Sequence, residues 1–235
     1  MPTPERAGEQ DDHGFVTPAV FRREWDFSRD GILRSVEESL ERLGLDRLDI
    51  AYLHDPDSHW AEASTSGIAA LVELRDQGVV GAIGAGMNQS AMLADFVREC
   101  DVDVVMLANR YTLIDQSAAQ DLLPIALERG VGVVAAAIYN SGLLSRAVVP
   151  DDAHFDYVQA PQAVIDRARA IAAVCARHGV TLPDAAVQFP LRHPAVVSVV
   201  VGTRTAEQVE SSLDRYGADI PEELWAELAG TGLVP

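Results

Sequence analysis

The stretch Ile32–His54, ILRSVEESLERLGLDRLDIAYLH, contains the pattern that decides the fold. Apolar residues recur three and four positions apart as far as Leu43, which predicts an amphipathic helix that Gly44 ends. A short apolar run follows and predicts a buried strand that stops at His54. The same unit recurs along the chain, and further strands are predicted at Val79–Ile83, Val102–Leu107, Val131–Ala137 and Val196–Val201.

These strands are nearly continuous apolar runs, which is typical of a parallel sheet covered on both faces. Helices between them imply right-handed crossovers. An open doubly wound sheet and a (β/α)8 barrel both fit this pattern. Five strands are fewer than a barrel needs, and residues 1–30 are predicted to be an acidic tail or loop before a single α/β domain at 31–235.

The composition limits the partners of the protein. A net charge of −18 over 235 residues disfavours nucleic acid and anionic membranes. No apolar run approaches the roughly 18 residues of a membrane span, and the N-terminus shows no signal pattern, so we expect a cytoplasmic protein. Cys100 and Cys175 lie in apolar helical patterns and are expected to be buried thiols. All 18 basic residues are arginine, so the sequence contains no lysine.

Several phrases resemble the aldo-keto reductases, and in particular their bacterial L-fucose and D-threo-aldose 1-dehydrogenase branch. They include LHD at Leu53–Asp55, RYTL at Arg110–Leu113, NSGLL at Asn140–Leu144 and FPLRHP at Phe189–Pro194. The resemblance implies a TIM (β/α)8 barrel that is incomplete, with about five of eight βα units present as the fourth to eighth. It also implies oxidation of an aldose at C1 with NAD or NADP.

In that family a tyrosine acts as general acid and base, an adjacent lysine lowers its pKa, and a histidine orients the substrate oxygen. Only the histidine carries over, onto His54. Three explanations stay open: a truncated enzyme, a barrel fragment retained as a nucleotide-binding or assembly module, or a rewired site. We expect weak or no turnover of an aldose, and self-association through open sheet edges.

Two further residues are implied to contact the nicotinamide. Asn88 follows the second strand, where the family places an asparagine on the carboxamide; its alternative role is to cap the next helix. Tyr111 matches a tyrosine that stacks on the nicotinamide ring, and its alternative is a packing role in the core or at its rim.

The phosphates are expected at two segments. Ser141, Gly142 and Leu143 match a loop that wraps the pyrophosphate, although the same residues also suit a simple turn. After the last strand, a helix capped by Thr205 with Gln208 at capping-box spacing offers N–H groups to an anion. The residues implied there are Gly202, Thr203, Arg204 and Gln208.

The choice between NAD and NADP stays open, because Gln208 and Ser212 replace an arginine and an asparagine of many NADP-preferring members. The histidines and aspartates at 54–59 include good metal ligands, but their loop spacing fixes no geometry, and no metal is predicted.

Overall fold

The computed structural model describes Arg6, Glu9 and residues 17–234 of the chain. The strands are β1 (Leu48–His54), β2 (Val80–Met87), β3 (Val104–Ala108), β4 (Gly132–Ala136), β5 (His154–Phe155), β6 (Val158–Gln159) and β7 (Val196–Val200). The helices are α1 (Arg29–Leu43), α2 (Trp60–Glu62), α3 (Ile68–Asp76), α4 (Ser90–Glu99), α5 (Leu122–Arg129), α6 (Gln162–Arg177), α7 (Leu182–Gln188), α8 (Ala206–Tyr216) and α9 (Glu222–Gly230).

Five strands form one parallel sheet in the order β1-β2-β3-β4-β7, and β5 and β6 form a separate antiparallel hairpin. The predicted parallel α/β fold is confirmed. Within the part of the chain that the structure describes, the sheet is open, with β1 and β7 as its edges. Residues 1–5, 7–8 and 10–16 of the predicted tail lie outside the described residues, and Phe27 near the end of the tail is buried.

Helix ends follow the local signals in the sequence. The Ser28 hydroxyl accepts a hydrogen bond from the Gly31 N–H at the start of α1, and Gly44 ends this helix in the left-handed conformation. The apolar pattern predicts a helix from Ser117 to Arg129 that Pro124 should kink or shorten. The helix is indeed shorter, because α5 begins at Leu122, which places the proline in the first turn, where its missing N–H costs nothing.

Strand β2 is longer than the sequence predicted, because it continues through the glycines that follow Ile83 as far as Met87. One of these glycines is required by a close approach between strands. A Cβ atom added at Gly84 would lie 1.6 Å from the Val104 carbonyl oxygen. The glycines after Ile83 are therefore part of the strand itself.

One face of the sheet is covered by helices. Leu53, Ile83 and Leu107 point to this face and join a core with side chains from α1, α3, α4 and α5. A second core joins α6, α7 and α9 to the loop after β4. On β1 the alternate residues point away from these helices, and Ile50 there is 45% exposed. No helix within residues 17–234 is long and apolar enough to cross a membrane.

Candidate functional site at the carboxyl ends of the strands

The five strands are parallel, so their carboxyl ends meet at one edge of the sheet, where α/β proteins place their ligands. Every residue proposed from the sequence, except the helix residue Gln208, lies on a strand end or on the loop after it. The structure brings most of them together near the ends of β4 and β7, while His54 lies on β1 at the opposite edge.

A cleft of about 720 Å³ lies between the loop after β4 and the N-terminal part of α8. We call it the arginine-lined cleft, because Arg146, Arg204 and Arg215 line it. It is also lined by Gly202, Thr203 and Gln208, which the resemblance implies as cofactor-binding residues. Among the described residues these three arginines form no salt bridge, so their charge is available to an anion in a chain that is otherwise acidic.

The N-terminus of α8 differs in detail from the capping box that the sequence predicted. The Thr205 hydroxyl accepts from the Gln208 N–H at 3.3 Å, as expected, but the Gln208 amide oxygen accepts from the Arg204 N–H at 2.7 Å instead of from Thr205. The Glu207 carboxylate accepts a hydrogen bond from its own backbone N–H, which lowers the pKa of this carboxyl group. An anion at this helix end would therefore have to displace the Glu207 carboxylate.

The loop Ser141–Leu143 forms a tight turn, as one of the two interpretations predicted. The N–H groups of Gly142 and Leu143 donate to the carbonyls of Tyr139 and Asn140, and the Leu143 side chain is buried in the second core. Ser141 and Gly142 are exposed at the surface of the loop. A phosphate contact from this loop would consequently come from Ser141, whose hydroxyl accepts from the Tyr157 N–H.

A second cavity, of about 270 Å³, adjoins the arginine-lined cleft and shares Tyr139, Val201 and Gly202 with it. We call it the asparagine cavity, because Asn109 and Asn140 line it with side chains that are 1% and 0% exposed. Among the described residues, both polar atoms of the Asn109 side chain and the Asn140 Oδ1 lack a hydrogen-bond partner. A buried polar group without a partner costs about 1–3 kcal/mol, so these atoms require a water molecule or a ligand group as partner.

The backbone around the asparagine cavity is strained. Of the seven described non-glycine residues with positive φ, five line this cavity: Asn109, Ala137, Asn140, Ser141 and Tyr157. Such conformations cost about 1–3 kcal/mol each and cluster at functional sites. Sequence reasoning missed both asparagines, although Asn109 follows a strand end just as Asn88 does, and the same rule applied to β3 would have found it.

The two residues implied to contact nicotinamide lie elsewhere. Asn88 directly follows β2, but Gln89 precedes the first helical residue of α4, so Asn88 does not cap that helix as the alternative proposed. The Tyr111 ring packs against Phe189 at 5.3 Å and His193 at 5.9 Å, and burial raises the pKa of its phenol. These contacts favour the packing interpretation of Tyr111.

At the edge strand β1, the His54 side chain is 80% exposed, and its Nε2 lies 3.5 Å from the Asp55 carboxylate. Tyr52 lies two residues earlier on the same face of the strand. Tyr52 and His54 both line a groove between β1 and α1. The Tyr52 hydroxyl is buried without a partner among the described residues, and burial raises its pKa. Within those residues no three histidine, cysteine or carboxylate side chains are grouped to hold a metal.

The fold and the site therefore define a parallel α/β protein with an arginine-lined cleft at the carboxyl ends of its strands. Residues 21–231 match the model of the aldo/keto reductase family, and the chain belongs to this oxidoreductase family. The resemblance found in the sequence is thus confirmed.

Relatives with assigned activities include a D-threo-aldose 1-dehydrogenase of Pseudomonas sp, which is 46% identical over the whole chain and 72% of its own length. A pyridoxal 4-dehydrogenase of Microbacterium luteolum is 37% identical over 95% of this chain and 68% of its own length. The holo form of an aldo-keto reductase from Bacillus halodurans superimposes with a TM-score of 0.74 at 23% identity, covering 90% of this chain and 69% of that one. The similarity to the Bacillus halodurans structure supports the assignment of the fold.

Proposed function

We propose that this chain binds a nicotinamide dinucleotide, NAD or NADP, at the ends of β4 and β7. The observation that carries the proposal is the pairing of an arginine-lined cleft with a neutral polar cavity that opens beside it. A dinucleotide likewise has a charged part and neutral polar parts, because its anionic diphosphate lies between neutral sugar and base groups. The unpartnered atoms of Asn109 and Asn140 meet the requirement that the site offer polar groups to its ligand.

Within this proposal, Arg204, Arg146 and Arg215 hold the phosphates, and the Ser141 hydroxyl and the backbone at Gly202 and Thr203 contribute polar contacts. Apart from its two chain neighbours, no described residue has an atom within 4 Å of a Cβ added at Gly202, so a ligand can approach its backbone closely. The dinucleotide, when bound, supplies the hydride chemistry. Asn88, which follows β2 two strands away from β4, remains our candidate for the carboxamide.

The substrate that we propose is an aldose of the L-fucose or D-threo-aldose type, oxidised at C1. Similarity to the Pseudomonas enzyme supports this class, and His54 would orient the substrate oxygen. The proton relay is the weak part of the site. A tyrosine that acts at neutral pH needs a cation nearby to lower its pKa, whereas Tyr52 has its pKa raised by burial and the chain has no lysine.

We therefore propose that these 235 residues turn over an aldose slowly or not at all. General acid–base groups contribute roughly 10²–10⁴-fold, so a typical kcat near 10 s⁻¹ would fall to about 0.1 s⁻¹ or less. A non-catalytic nucleotide-binding or assembly module is the second candidate, favoured by the absence of lysine from the sequence and by the buried, unpartnered hydroxyl of Tyr52 among the described residues. We also propose that the five strands are the fourth to eighth of a barrel, with self-association through the edges β1 and β7.

Calorimetry with NAD⁺ and NADP⁺ tests the binding proposal. Binding of either one should weaken in Arg204→Gln but not in Arg98→Gln, which removes the same charge from the exposed face of α4. Absence of binding by both dinucleotides at millimolar concentration would refute it.

Two further measurements separate the remaining points. Absorbance at 340 nm with L-fucose measures turnover, and a kcat well above about 1 s⁻¹ would refute the inactive proton relay. Light scattering across a range of concentrations tests association, and a monomer at every concentration would contradict self-association.

A further inference from the structure

A cavity of about 690 Å³ lies between the loop that follows β3 and the first half of α6. We call it the Arg167 cavity, after the arginine of α6 that lines it. Among the described residues it shares no lining residue with the arginine-lined cleft or with the asparagine cavity, so the proposed dinucleotide site does not use it. Its volume lies within the roughly 300–1,000 Å³ that is typical of pockets for small ligands.

The Arg167 guanidinium is the positive group of this cavity, and the acceptors around it are neutral. Its Nη2 donates to the Gln116 amide oxygen at 3.3 Å and to the Leu233 carbonyl at 2.8 Å. Within the part of the chain that the structure describes, Nη1 donates to no acceptor, Nε is buried without a partner, and no carboxylate forms a salt bridge with this arginine. A half-buried cation without a counter-ion favours the binding of an anion.

Arg167 differs in this respect from the other two arginines of α6. Arg169 pairs with Asp151, and Arg177 pairs with Glu227. The sequence contains 36 acidic residues and 18 arginines, so a carboxylate is available for every arginine. Among the described residues the fold nevertheless leaves Arg167 without one, although it places this side chain beside a cavity.

Asp115 also lines the cavity, but its carboxylate is engaged by other groups. Its Oδ1 accepts from the N–H and the hydroxyl of Ser117 at 2.9 and 2.7 Å, and its Oδ2 accepts from Arg110 Nη1 at 3.3 Å. These charge-assisted hydrogen bonds compensate the negative charge of Asp115. The charge of Arg167 therefore remains for a ligand.

The other walls of the cavity determine what the anionic group is attached to. The side chains of Ile114, Phe155 and Val164 present apolar surface, and Ala163 leaves space beside them. A carboxylate matches the planar guanidinium and carries one charge, whereas a phosphate carries up to two. Bringing a single charge between apolar walls costs less desolvation energy. The lining therefore selects a carboxylate on an apolar body.

We propose that the Arg167 cavity binds a small organic monocarboxylate that carries an apolar ring or chain. The carboxylate accepts from Arg167 Nη1, and the apolar part packs against Phe155 and Val164. This site is additional to the dinucleotide site and does not depend on it.

Calorimetric titration of the full chain with 2-naphthoate tests the proposal. We expect a Kd of about 1 mM or lower, which is the affinity that an ordinary ligand efficiency gives for a molecule of this size. The amide 2-naphthamide has the ring without the charge, and acetate has the charge without the ring. Each should bind at least about tenfold more weakly than 2-naphthoate. An excess of ADP should not displace 2-naphthoate.

Two variants and a control locate the site. Arg167→Gln should weaken 2-naphthoate about tenfold, because a hydrogen bond to a charged group is lost at a half-buried position. The control Arg169→Gln removes the same charge from the opposite face of α6 and should leave the affinity unchanged. Ala163→Trp fills the cavity from an exposed position and keeps the contacts of Arg167, so it should weaken 2-naphthoate at least as much. This variant decides the question if Arg167→Gln does not fold.

Three results would overturn the inference: no binding of 2-naphthoate at about 10 mM, equal binding of 2-naphthamide, or unchanged affinity in Ala163→Trp. Displacement of 2-naphthoate by ADP would also overturn it, because the acid would then occupy the arginine-lined cleft. If 2-naphthoate binds as expected while neither dinucleotide binds, the Arg167 cavity stands and the dinucleotide proposal fails.

Discussion

Tyr139 connects the two halves of the proposed site, and its hydroxyl can be removed without removing its ring. The hydroxyl accepts a hydrogen bond from Arg215 Nη1 at 3.0 Å, and the guanidinium carbon lies 5.9 Å from the centre of the same ring. Tyr139 lines both the arginine-lined cleft and the asparagine cavity. The substitution Tyr139→Phe therefore tests whether this hydroxyl positions Arg215 for an anionic ligand.

The expected magnitude follows from the geometry. A hydrogen bond to a charged group contributes about 1.5–3 kcal/mol when it is well shielded. Both residues here are half-buried, so we reduce this contribution to about 1 kcal/mol for solvent screening, which is about fivefold in Kd. The ring stays in place, so its weaker attraction for the guanidinium should persist.

The assay is calorimetric titration with ADP, whose diphosphate needs only the arginine-lined cleft. Tyr139→Phe should weaken ADP about fivefold, and Tyr216→Phe, which changes an exposed tyrosine next to Arg215, should not. A double-mutant cycle with Arg215→Gln isolates the pair. If Tyr139→Phe costs the same fivefold in the Arg215→Gln background, the hydroxyl acts without Arg215 and the reasoning is refuted.

Three further predictions concern separate parts of the chain. Gly202→Ala should leave the melting temperature unchanged, because no described residue beyond its chain neighbours lies within 4 Å of the new Cβ. The same variant should bind ADP about fivefold or more weakly by calorimetry, and an equal loss of stability and affinity would contradict this. Cys175 is fully buried, and burial raises the pKa of its thiol to about 11. This thiol should therefore resist a thiol reagent at pH 8 until the chain unfolds. Rapid reaction of both Cys100 and Cys175 in the folded chain would count against the prediction. Hydrogen bonds from Arg177 and His178 lower the pKa of the Glu227 carboxyl, so the stability that they contribute is present above about pH 4.5 and is lost as the pH falls through the lowered pKa. Glu227→Gln should therefore reduce the acid dependence of the melting temperature between about pH 5 and pH 3. An unchanged slope of melting temperature against pH would refute the assignment.

The sequence predicted the order and type of the sheet elements well, because those depend on local patterns. The periodicity of Ile32–Leu43 and the glycine that follows placed α1 to within a few residues. The helix α9 was not predicted, since its start at Glu222 follows Pro221 without a side-chain cap. The second strand was cut short because glycines lower strand propensity, while the contact that requires Gly84 is made with another strand.

The candidate site was predictable only in part, and the division has a physical cause. Arg204 and Gly202 follow a strand and precede a helix, so their position was fixed by local structure. The asparagine cavity depends instead on positive φ values in the loop after β4 and on contacts between residues 31 positions apart, such as Asn140 with Asn109. Neither backbone strain nor an unused hydrogen-bonding group can be read from residue type alone.

The two edges of the sheet differ in what they can contribute to catalysis. At β4 and β7 the chain collects three arginines without salt bridges among the described residues, together with unused amide groups. At β1 it offers the exposed His54 and the phenol of Tyr52, whose pKa is raised by burial. A ligand could therefore bind at β4 and β7 whether or not proton transfer is possible at β1. If the chain binds the dinucleotide as we propose, its affinity for the dinucleotide and its turnover of an aldose are separable properties, and the proposed function predicts binding without turnover.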